Sequence, residues 1–242
     1  FVGCDVRTIQ NIDKIMQEFN PDVVINAIGI TKQLANREEF VNAVEVNALF
    51  PHYLAELCKT YASRLILLST DCIFSGNKGL YVEDDVSDAK DTYGRTKFLG
   101  EVNAEHVITL RKSTVGLEMN GSHGLVEWFL AQTGEIKGFN NAIFTGVITT
   151  ELVRVIELIL LDAPSLFGIW NIASKPISKY QFLVQLQKEI RKNDVEIICD
   201  ESFVCDRSLN GASFENATGY KPPSWSQMIE TLGQEIKVRL NT

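Results

Sequence analysis

The stretch LILLST at residues 65–70 is an unbroken apolar run that ends in two hydroxyl side chains, and a similar run, VVINAI at residues 23–28, precedes it. Neither run alternates polar with apolar residues, which indicates strands buried on both faces. Helical patterns surround these runs at residues 8–19, 38–62 and 92–104, and a third strand is predicted at 107–111. This alternation predicts an α/β fold with a doubly wound parallel sheet.

The long helical segment at 38–62 carries Leu54, Leu57, Cys58 and Tyr61 on one face. Pro51 lies inside the segment and should kink or restart the helix. After residue 117 glycine and polar residues become frequent, and helices are predicted at 125–132, 150–161, 178–191 and 225–239. We assign residues 1–116 and 143–175 to the sheet domain, and residues 117–142 and 176–242 to a smaller lobe at the edge where open α/β sheets bind ligands.

The composition excludes several classes of function. A length of 242 residues with 45% hydrophobic content suits one large domain with a small lobe. The net charge of −8 argues against a nucleic-acid surface, which needs clustered Lys and Arg. No apolar stretch reaches the roughly 18 residues of a membrane helix, so no membrane segment is predicted. The five cysteines form no CxxC pair and no His stands at a zinc-ligand spacing, so we expect no metal site and a reducing cytoplasm.

The strongest chemical signal is Ser69-Thr70-Asp71 at the end of a strand, followed by Tyr93 and Lys97 at the start of a helix. A Tyr and a Lys four residues apart project from the same helical face. A nearby ammonium favours the phenolate and should lower the pKa of the phenol, which can then protonate an alkoxide formed by hydride addition. The YxxxK spacing alone is common by chance, so the surrounding motifs decide its meaning.

Those motifs resemble one family closely. The string STDCIFSG…YVEDD…DTYGRTKFLGE, between residues 69 and 101, is similar to the pattern STDYVFDG…Y.E.D…YG.SK..GE of the dTDP-4-dehydrorhamnose reductase family of extended short-chain dehydrogenases/reductases. The match continues through PDVVINA, EVNALFPHYLAELC and ITLRKS, covering residues 5–114 well and the rest loosely. The resemblance implies a Rossmann-like NAD(P)-binding domain with a C-terminal substrate lobe.

The implied function is reduction, by NADPH or NADH, of the 4-keto group of a nucleotide-linked deoxysugar, for cell-surface polysaccharide synthesis in the cytoplasm. The partner would be the nucleotide-sugar substrate, and the resemblance leaves a homodimer open. Carried over by position, Thr70 would hold the substrate carbonyl, Tyr93 would be the acid-base residue, and Lys97 would tune Tyr93 and grip the nicotinamide ribose. Further cofactor contacts are implied for Asp5, which would approach the adenine, and for Asn26, Ala27, Ile28, Gly29, Asn47, Ser69 and Ser113. Substrate contacts are expected for Asp71, Cys72, His123 and Trp128.

Two alternatives stay open. Cys72 stands where the family pattern has a large residue, and it is similar to the epimerisation acid of GDP-fucose synthases, with His123 as the matching His. An epimerase or epimerase-reductase is therefore one alternative, and a small buried apolar side chain is the other interpretation of Cys72. The regulatory subunit of methionine adenosyltransferase also resembles this family, so a non-catalytic member is the second alternative. The intact Thr70, Tyr93 and Lys97 favour an enzyme.

The glycine fingerprint of a Rossmann fold, GxxGxxG, is absent from these residues. By the resemblance, the sequence starts at the end of the third family strand and lacks the first β-α-β unit. We therefore expect VVINAI to form an unpaired edge. We also expect the 242 residues alone to bind NAD(P) weakly, because the helix N-terminus that holds the pyrophosphate is missing. The choice between NADH and NADPH depends on the same missing segment.

Overall fold

The computed structural model describes residues 3–32, 40–119 and 123–240. These residues form two compact units. The first unit comprises Phe1–Ser75, Glu83–Arg111 and Ser165–Trp170, and the second comprises Gly76–Val82, Lys112–Pro164 and Asn171–Thr242. No described helix is long and apolar enough to cross a membrane.

A four-stranded sheet forms the centre of the first unit. Its strands, in spatial order, are β1 (Val23–Asn26), β2 (Arg64–Leu68), β3 (Val107–Lys112) and β8 (Gly168–Ile172). β1 and β3 both pair with β2 in parallel, with Ile25 opposite Ile66 and Ile66 opposite Ile108. The predicted α/β class with a parallel sheet is confirmed.

The two apolar runs have different surroundings. In β2, Leu65 and Ile66 are fully buried, as the unbroken apolar pattern predicts. β1 is the edge of the described sheet, and Ile25 is 46% exposed. VVINAI thus forms the expected edge strand, but the prediction that it is buried on both faces is wrong. In the described residues, β1 pairs with one strand, whereas β2 pairs with a strand on each side, and this leaves β1 more exposed than β2.

In the described residues, four helices of the first unit accompany this sheet: α1 (Ile9–Phe19), α2 (Phe40–Ala43), α3 (Phe50–Thr60) and α4 (Thr92–Leu99). α2 and α3 are joined by a π-helical segment, Val44–Leu49, and Pro51 lies in the first turn of α3, where its missing N–H costs nothing. The helix predicted from residue 38 begins at Phe40, and residues 38 and 39 lie outside the described residues. α4 ends at Leu99 rather than near 104, because Gly100 follows it as the C-cap.

The core of the first unit lies between α1, α3 and the sheet. Met16, Phe50, Leu54, Cys58 and Leu65 are all buried in one cluster. Leu54 and Cys58 come from the predicted apolar face of the long helix, and Leu57 and Tyr61 are half-buried on it. This packing holds β2 in place, and the hydroxyl residues Ser69 and Thr70 of the predicted site follow directly after it.

The second unit holds the remaining elements. Its strands are β4 (Thr114–Val115), β5 (Gly134–Phe139), β6 (Ala142–Phe144), β7 (Val147–Ile148), β9 (Ile177–Ser178), β10 (Val195–Asp200) and β11 (Cys205–Asp206). Its helices are α5 (Leu125–Leu130), α6 (Thr149–Leu161), α7 (Lys179–Ile190), α8 (Ala212–Thr218) and α9 (Trp225–Leu240). The four helices predicted after residue 117 are therefore confirmed, with small changes at their ends. Phe144, Phe182 and Trp225 pack edge to face between them.

Residues 117–142 and 176–242, the predicted lobe, fall within the second unit. That unit also includes residues 76–82, 112–116, 143–164 and 171–175, which were assigned to the sheet domain. β6 pairs with β9 and β11, and β7 pairs with β4, so residues 143–148 join the second unit. The assignment of cofactor and substrate to separate lobes stays a prediction.

Candidate active site

Thr70 and Tyr93 are brought together at the carboxyl end of β2. Thr70 caps a single 3₁₀ turn, Asp71–Ile73, and its Oγ1 accepts a 3.1 Å hydrogen bond from the Cys72 N–H. The same hydroxyl lies 3.2 Å from Asp71 Oδ1 and is close enough to the Tyr93 phenol to lower its pKa. Thr70 and Asp71 are each only 6% exposed, so their orientation is set by the protein rather than by water.

The start of α4 is held against this turn by a cap and a glycine. The Asp91 carboxylate accepts a 2.8 Å hydrogen bond from the Gly94 N–H, and its other oxygen lies 2.8 Å from Lys32 Nζ. A Cβ atom on Gly94 would overlap the Cys72 carbonyl oxygen. The absence of a side chain at 94 therefore allows the first turn of α4 to approach the strand end and place Tyr93 beside Thr70.

The pKa of the Tyr93 phenol is raised above the usual tyrosine value. Burial is the largest cause, and charge on the neighbouring Cys72 adds to it, while the hydrogen bond with Thr70 acts in the opposite direction. The sequence-based expectation was a pKa lowered by Lys97. In this arrangement burial dominates instead, so the phenol is protonated at neutral pH, which is the form of an acid that donates a proton.

Lys97 lies one turn after Tyr93 in α4. Its Nζ donates a 2.8 Å hydrogen bond to the Leu68 carbonyl, the last residue of β2. It also lies 3.9 Å from the position that a Cβ on Gly29 would take. An ammonium beside a residue without a side chain suits a ligand that presents hydroxyl groups, such as a nucleotide ribose. The residues present therefore fit the predicted ribose contact.

Asn47 fixes the loop after β1 next to Lys97. Its side chain accepts from the Ile30 N–H at 2.8 Å and donates to the Ile30 carbonyl at 3.0 Å, and it also donates to Thr96 Oγ1. The Asn26 side chain, buried before this loop, accepts from the Ile28 N–H at 3.0 Å. Ala27, Ile28 and Gly29 are exposed. The exposed residues Ala27, Ile28 and Gly29 are thus held near Lys97 by the buried side chains of Asn26 and Asn47.

Asp5 has a different environment. Its carboxylate is exposed and forms hydrogen bonds with Arg7, which also donates to Asn42. The Arg7 guanidinium lowers the pKa of Asp5 to about 2. No described contact links Asp5 with Thr70, Tyr93 or Lys97, so its role at the adenine stays a prediction.

Three predicted residues belong to the second unit. Ser113 lies between β3 and β4, and its carbonyl accepts from the Val147 N–H at 3.0 Å. The His123 side chain is exposed, and its backbone N–H donates to Glu118 at 3.1 Å. Trp128 in α5 is 37% exposed. Residues 120–122, directly before His123, lie outside the described residues.

Two charged residues near the site, Glu101 and Arg111, were not predicted to have a role. Glu101 and Arg111 form an ion pair whose side chains are each 3% exposed, and the Ser69 hydroxyl donates to Glu101 Oε1 at 2.6 Å. The signal in the sequence was a single arginine inside the apolar strand VITLRK. A buried charge of this kind requires a partner, but its partner could not be identified from spacing.

Within the described ranges, no group of three or more His, Cys, Asp or Glu side chains is placed to hold a metal ion. The second unit has a concavity of about 510 Å³ lined by residues that include Lys175, Pro176, Glu215 and Pro222. No predicted site residue lines it.

Comparison with known proteins gives concordant results. The chain is 25% identical to a dTDP-4-dehydrorhamnose reductase of Aggregatibacter actinomycetemcomitans, over 96% of this chain and 87% of the relative. It is 28% identical to the spore coat polysaccharide biosynthesis protein SpsK of Bacillus subtilis, over 71% of this chain and 62% of the relative. In fold it resembles a dTDP-4-dehydrorhamnose reductase of Bacillus anthracis solved with NADP, with a TM-score of 0.82 and 20% identity over 96% of this chain and 87% of that one.

A family model described as the RmlD substrate binding domain matches residues 3–237, which is nearly the whole chain. The match includes β1, β2 and β3 of the first unit, the Thr70–Tyr93 pair and all strands of the second unit. The protein therefore belongs to the RmlD substrate-binding-domain family.

Proposed function

We propose that the protein is an NAD(P)H-dependent reductase of the 4-keto group of a nucleotide-linked deoxysugar. The observation that carries the proposal is the joint placement of Thr70, Tyr93 and Lys97 at the carboxyl end of β2. The relatives named dTDP-4-dehydrorhamnose reductase support the substrate class. The polysaccharide role in the name of SpsK supports a place in cell-surface polysaccharide synthesis, which we assign to the cytoplasm.

In the proposed mechanism, the Thr70 hydroxyl hydrogen-bonds the keto oxygen and holds the carbonyl beside the Tyr93 phenol. Reduced nicotinamide, when bound, supplies the hydride that the keto carbon accepts. Tyr93 then transfers its phenolic proton to the oxygen, so that the C=O group becomes CH–OH. The raised pKa of Tyr93 keeps this proton in place until negative charge develops on the substrate oxygen.

Lys97 contributes by position. Its ammonium is anchored on the Leu68 carbonyl and faces Gly29, where it would donate to the ribose hydroxyls of the nicotinamide nucleotide. The loop from Asn26 to Gly29, held by Asn47 through Ile30, would form the adjoining part of the cofactor surface. The fit between these donors and a ribose supports NADPH or NADH as cofactor.

The proposal is tested by replacing the proton donor. The purified protein and its Tyr93→Phe variant are supplied with a dTDP-linked 4-keto-6-deoxysugar and NADPH or NADH, and loss of the reduced cofactor and the sugar product are measured. We expect Tyr93→Phe to lower kcat by roughly 10²–10⁴-fold, the usual contribution of a positioned general acid. The matched control is Tyr53→Phe, a tyrosine that is 53% exposed on α3.

The control should turn over at the rate of the unaltered protein. No turnover of any 4-keto nucleotide sugar by the unaltered protein would overturn the proposed function. Normal turnover by Tyr93→Phe would instead remove Tyr93 from the acid role.

A further inference from the structure

The buried pair of Glu101 and Arg111 connects the segment after the helix of Tyr93 and Lys97 with strand β3. Glu101 follows the C-cap of α4, the helix of Tyr93 and Lys97, and Arg111 lies near the end of β3. The Arg111 guanidinium donates to both Glu101 oxygens through Nε, at 3.0 and 3.1 Å, and to Oε2 through Nη2 at 2.8 Å. Its Nη1 donates to the Glu83 carbonyl at 2.8 Å, and the guanidinium lies over the Phe74 ring.

The third member of this group is Ser69, directly before Thr70. Its hydroxyl donates to Glu101 Oε1 at 2.6 Å, and its backbone N–H donates to the Leu110 carbonyl at 2.8 Å. The Ser69 side chain is therefore tied to the end of α4, while its main chain is tied to β3. Both hydrogen bonds are one residue away from Thr70, which lies at the strand end against which the first turn of the Tyr93 helix packs.

Burying an ion pair has a desolvation cost that lowers its contribution to folding stability. Apolar residues of similar volume often give equal or greater stability, because they avoid the desolvation of two charges. Here each guanidinium nitrogen and each carboxylate oxygen of the pair has a hydrogen-bond partner, which makes the pair rigid. A site that must keep two side chains in a fixed geometry needs such rigid support. The location of the pair between the end of β2 and the end of α4 suggests what that rigidity serves.

We infer that Ser69, Glu101 and Arg111 are positioning residues that hold the Thr70 hydroxyl in register with the Tyr93 phenol. Glu101 is the link, since it bonds the strand that presents Thr70 and lies on the segment that leaves the helix of Tyr93. This inference rests on the proposed reduction for its kinetic consequence. Its structural consequence, the contact between Thr70 and Tyr93, can be measured without turnover.

The test uses a pair of serines at opposite ends of the same strand. Ser69→Ala removes the hydroxyl that donates to Glu101. The matched control, Ser63→Ala, removes a hydroxyl that is also buried and donates to the Pro21 carbonyl at 2.6 Å. Both variants lose one buried hydrogen bond beside β2, so a general loss of stability should be similar in the two.

We expect Ser69→Ala to lower kcat by about tenfold with KM changed by less than about twofold, because a small misplacement affects the reacting geometry more than binding. Ser63→Ala should leave kcat within about twofold. In a Thr70→Val background the effect of Ser69→Ala should nearly disappear, since the residue through which it acts is already gone. Equal kcat values for Ser69→Ala and Ser63→Ala, or an undiminished effect in the Thr70→Val background, would overturn the inference.

A second measurement separates this inference from the proposed function. In protein labelled at the tyrosine ring carbons, the NMR signal of Tyr93, assigned by its loss in Tyr93→Phe, reports on the position of Thr70 relative to the phenol. We expect the signal to move in Ser69→Ala and to stay in place in Ser63→Ala. If the unaltered protein reduces no keto sugar while this shift is seen, the proposed function fails and the positioning role stands. If the shift is absent, the positioning role fails whatever the activity.

Discussion

The pKa of the Tyr93 phenol, the proposed proton donor, is set by the neighbouring residues. Burial and the adjacent Cys72 raise its pKa, and the Thr70 hydroxyl partly opposes them. The anchored Lys97 ammonium points to the Leu68 carbonyl and the Gly29 loop. In the proposed mechanism the two residues of the YxxxK motif therefore have separate tasks: Tyr93 would donate the proton and Lys97 would bind the ribose.

The direction of this pKa shift predicts the pH dependence of reduction. A proton donor must be protonated, so activity through Tyr93 is present below its pKa and is lost as the pH rises through it. With the pKa raised above the ordinary tyrosine value of 10, we expect kcat to show no loss of the acid between pH 7 and 10. A pH profile of kcat measures this. A fall in kcat near neutral pH, absent from Lys97→Met, would show instead that the cation dominates over burial.

Cys72 allows a direct test of epimerisation. Cys72 lies in the turn after Thr70, and its charge raises the pKa of the Tyr93 phenol. We expect Cys72→Ser to retain carbonyl reduction to within about tenfold, and the unaltered enzyme to incorporate no solvent deuterium beside the keto carbon, because epimerisation alone needs an acid there. Mass spectrometry of the product formed in heavy water measures the exchange. Exchange by the unaltered enzyme that Cys72→Ser abolishes would favour the epimerase alternative.

For single residues, the sequence motifs predicted which side chains meet at the candidate site, but they did not predict the partners of individual charged residues. The juxtaposition of Thr70, Tyr93 and Lys97 follows from a strand end and a helical spacing, and both can be recognised in a sequence. The partners of Asp5 and Glu101 could not be predicted in this way. Asp5 binds a residue two positions away, whereas Glu101 is paired with Arg111 across two elements, and long-range side-chain pairing depends on the packed fold.

Among the elements, α4 depends on two close backbone approaches. Gly94 allows its first turn to meet Cys72, and Gly100 allows its last turn to meet Asn47 of the π-helical segment. Helices with an apolar stripe were predictable from their period, because that period follows from burial. The π-helical segment Val44–Leu49 was not predictable, since it arises from a local change of hydrogen-bond register that leaves no mark in the hydrophobic pattern.

The approach at Gly100 gives a prediction about stability. A Cβ there would overlap the Asn47 carbonyl oxygen, and the backbone of a buried helix cannot move away at low cost. We expect Gly100→Ala to lower the free energy of unfolding by about 1–3 kcal/mol, the usual penalty of overpacking. Chemical denaturation measures the change. In Gly211→Ala, the control, the new Cβ would lie 3.3 Å from its nearest neighbour, so a clearly smaller loss is expected; equal losses would contradict the steric account.

For the whole molecule, the open question is which residues bind the sugar nucleotide. Trp128 was predicted to do so, and its indole is 37% exposed on the second unit. We expect Trp128→Ala to raise KM for the nucleotide sugar by roughly 2- to 12-fold, as expected for the loss of an aromatic contact, and to leave KM for NADPH unchanged. Steady-state kinetics with each substrate varied in turn measures both. Phe203→Ala, which removes another exposed aromatic ring of the same unit, is the control. An unchanged sugar KM in Trp128→Ala would remove Trp128 from the site.

The division into two units determines whether either unit can be expressed on its own. The chain passes between the units five times, at 75/76, 82/83, 111/112, 164/165 and 170/171. Neither unit is encoded by a continuous stretch of DNA, so neither can be expressed alone by choosing a start and a stop codon. An interruption between residues 112 and 164 would separate the sheet strand β8 from its partner β3, although the two are neighbours in the fold. A chimera that exchanges one unit between relatives therefore has to replace all three segments of that unit together.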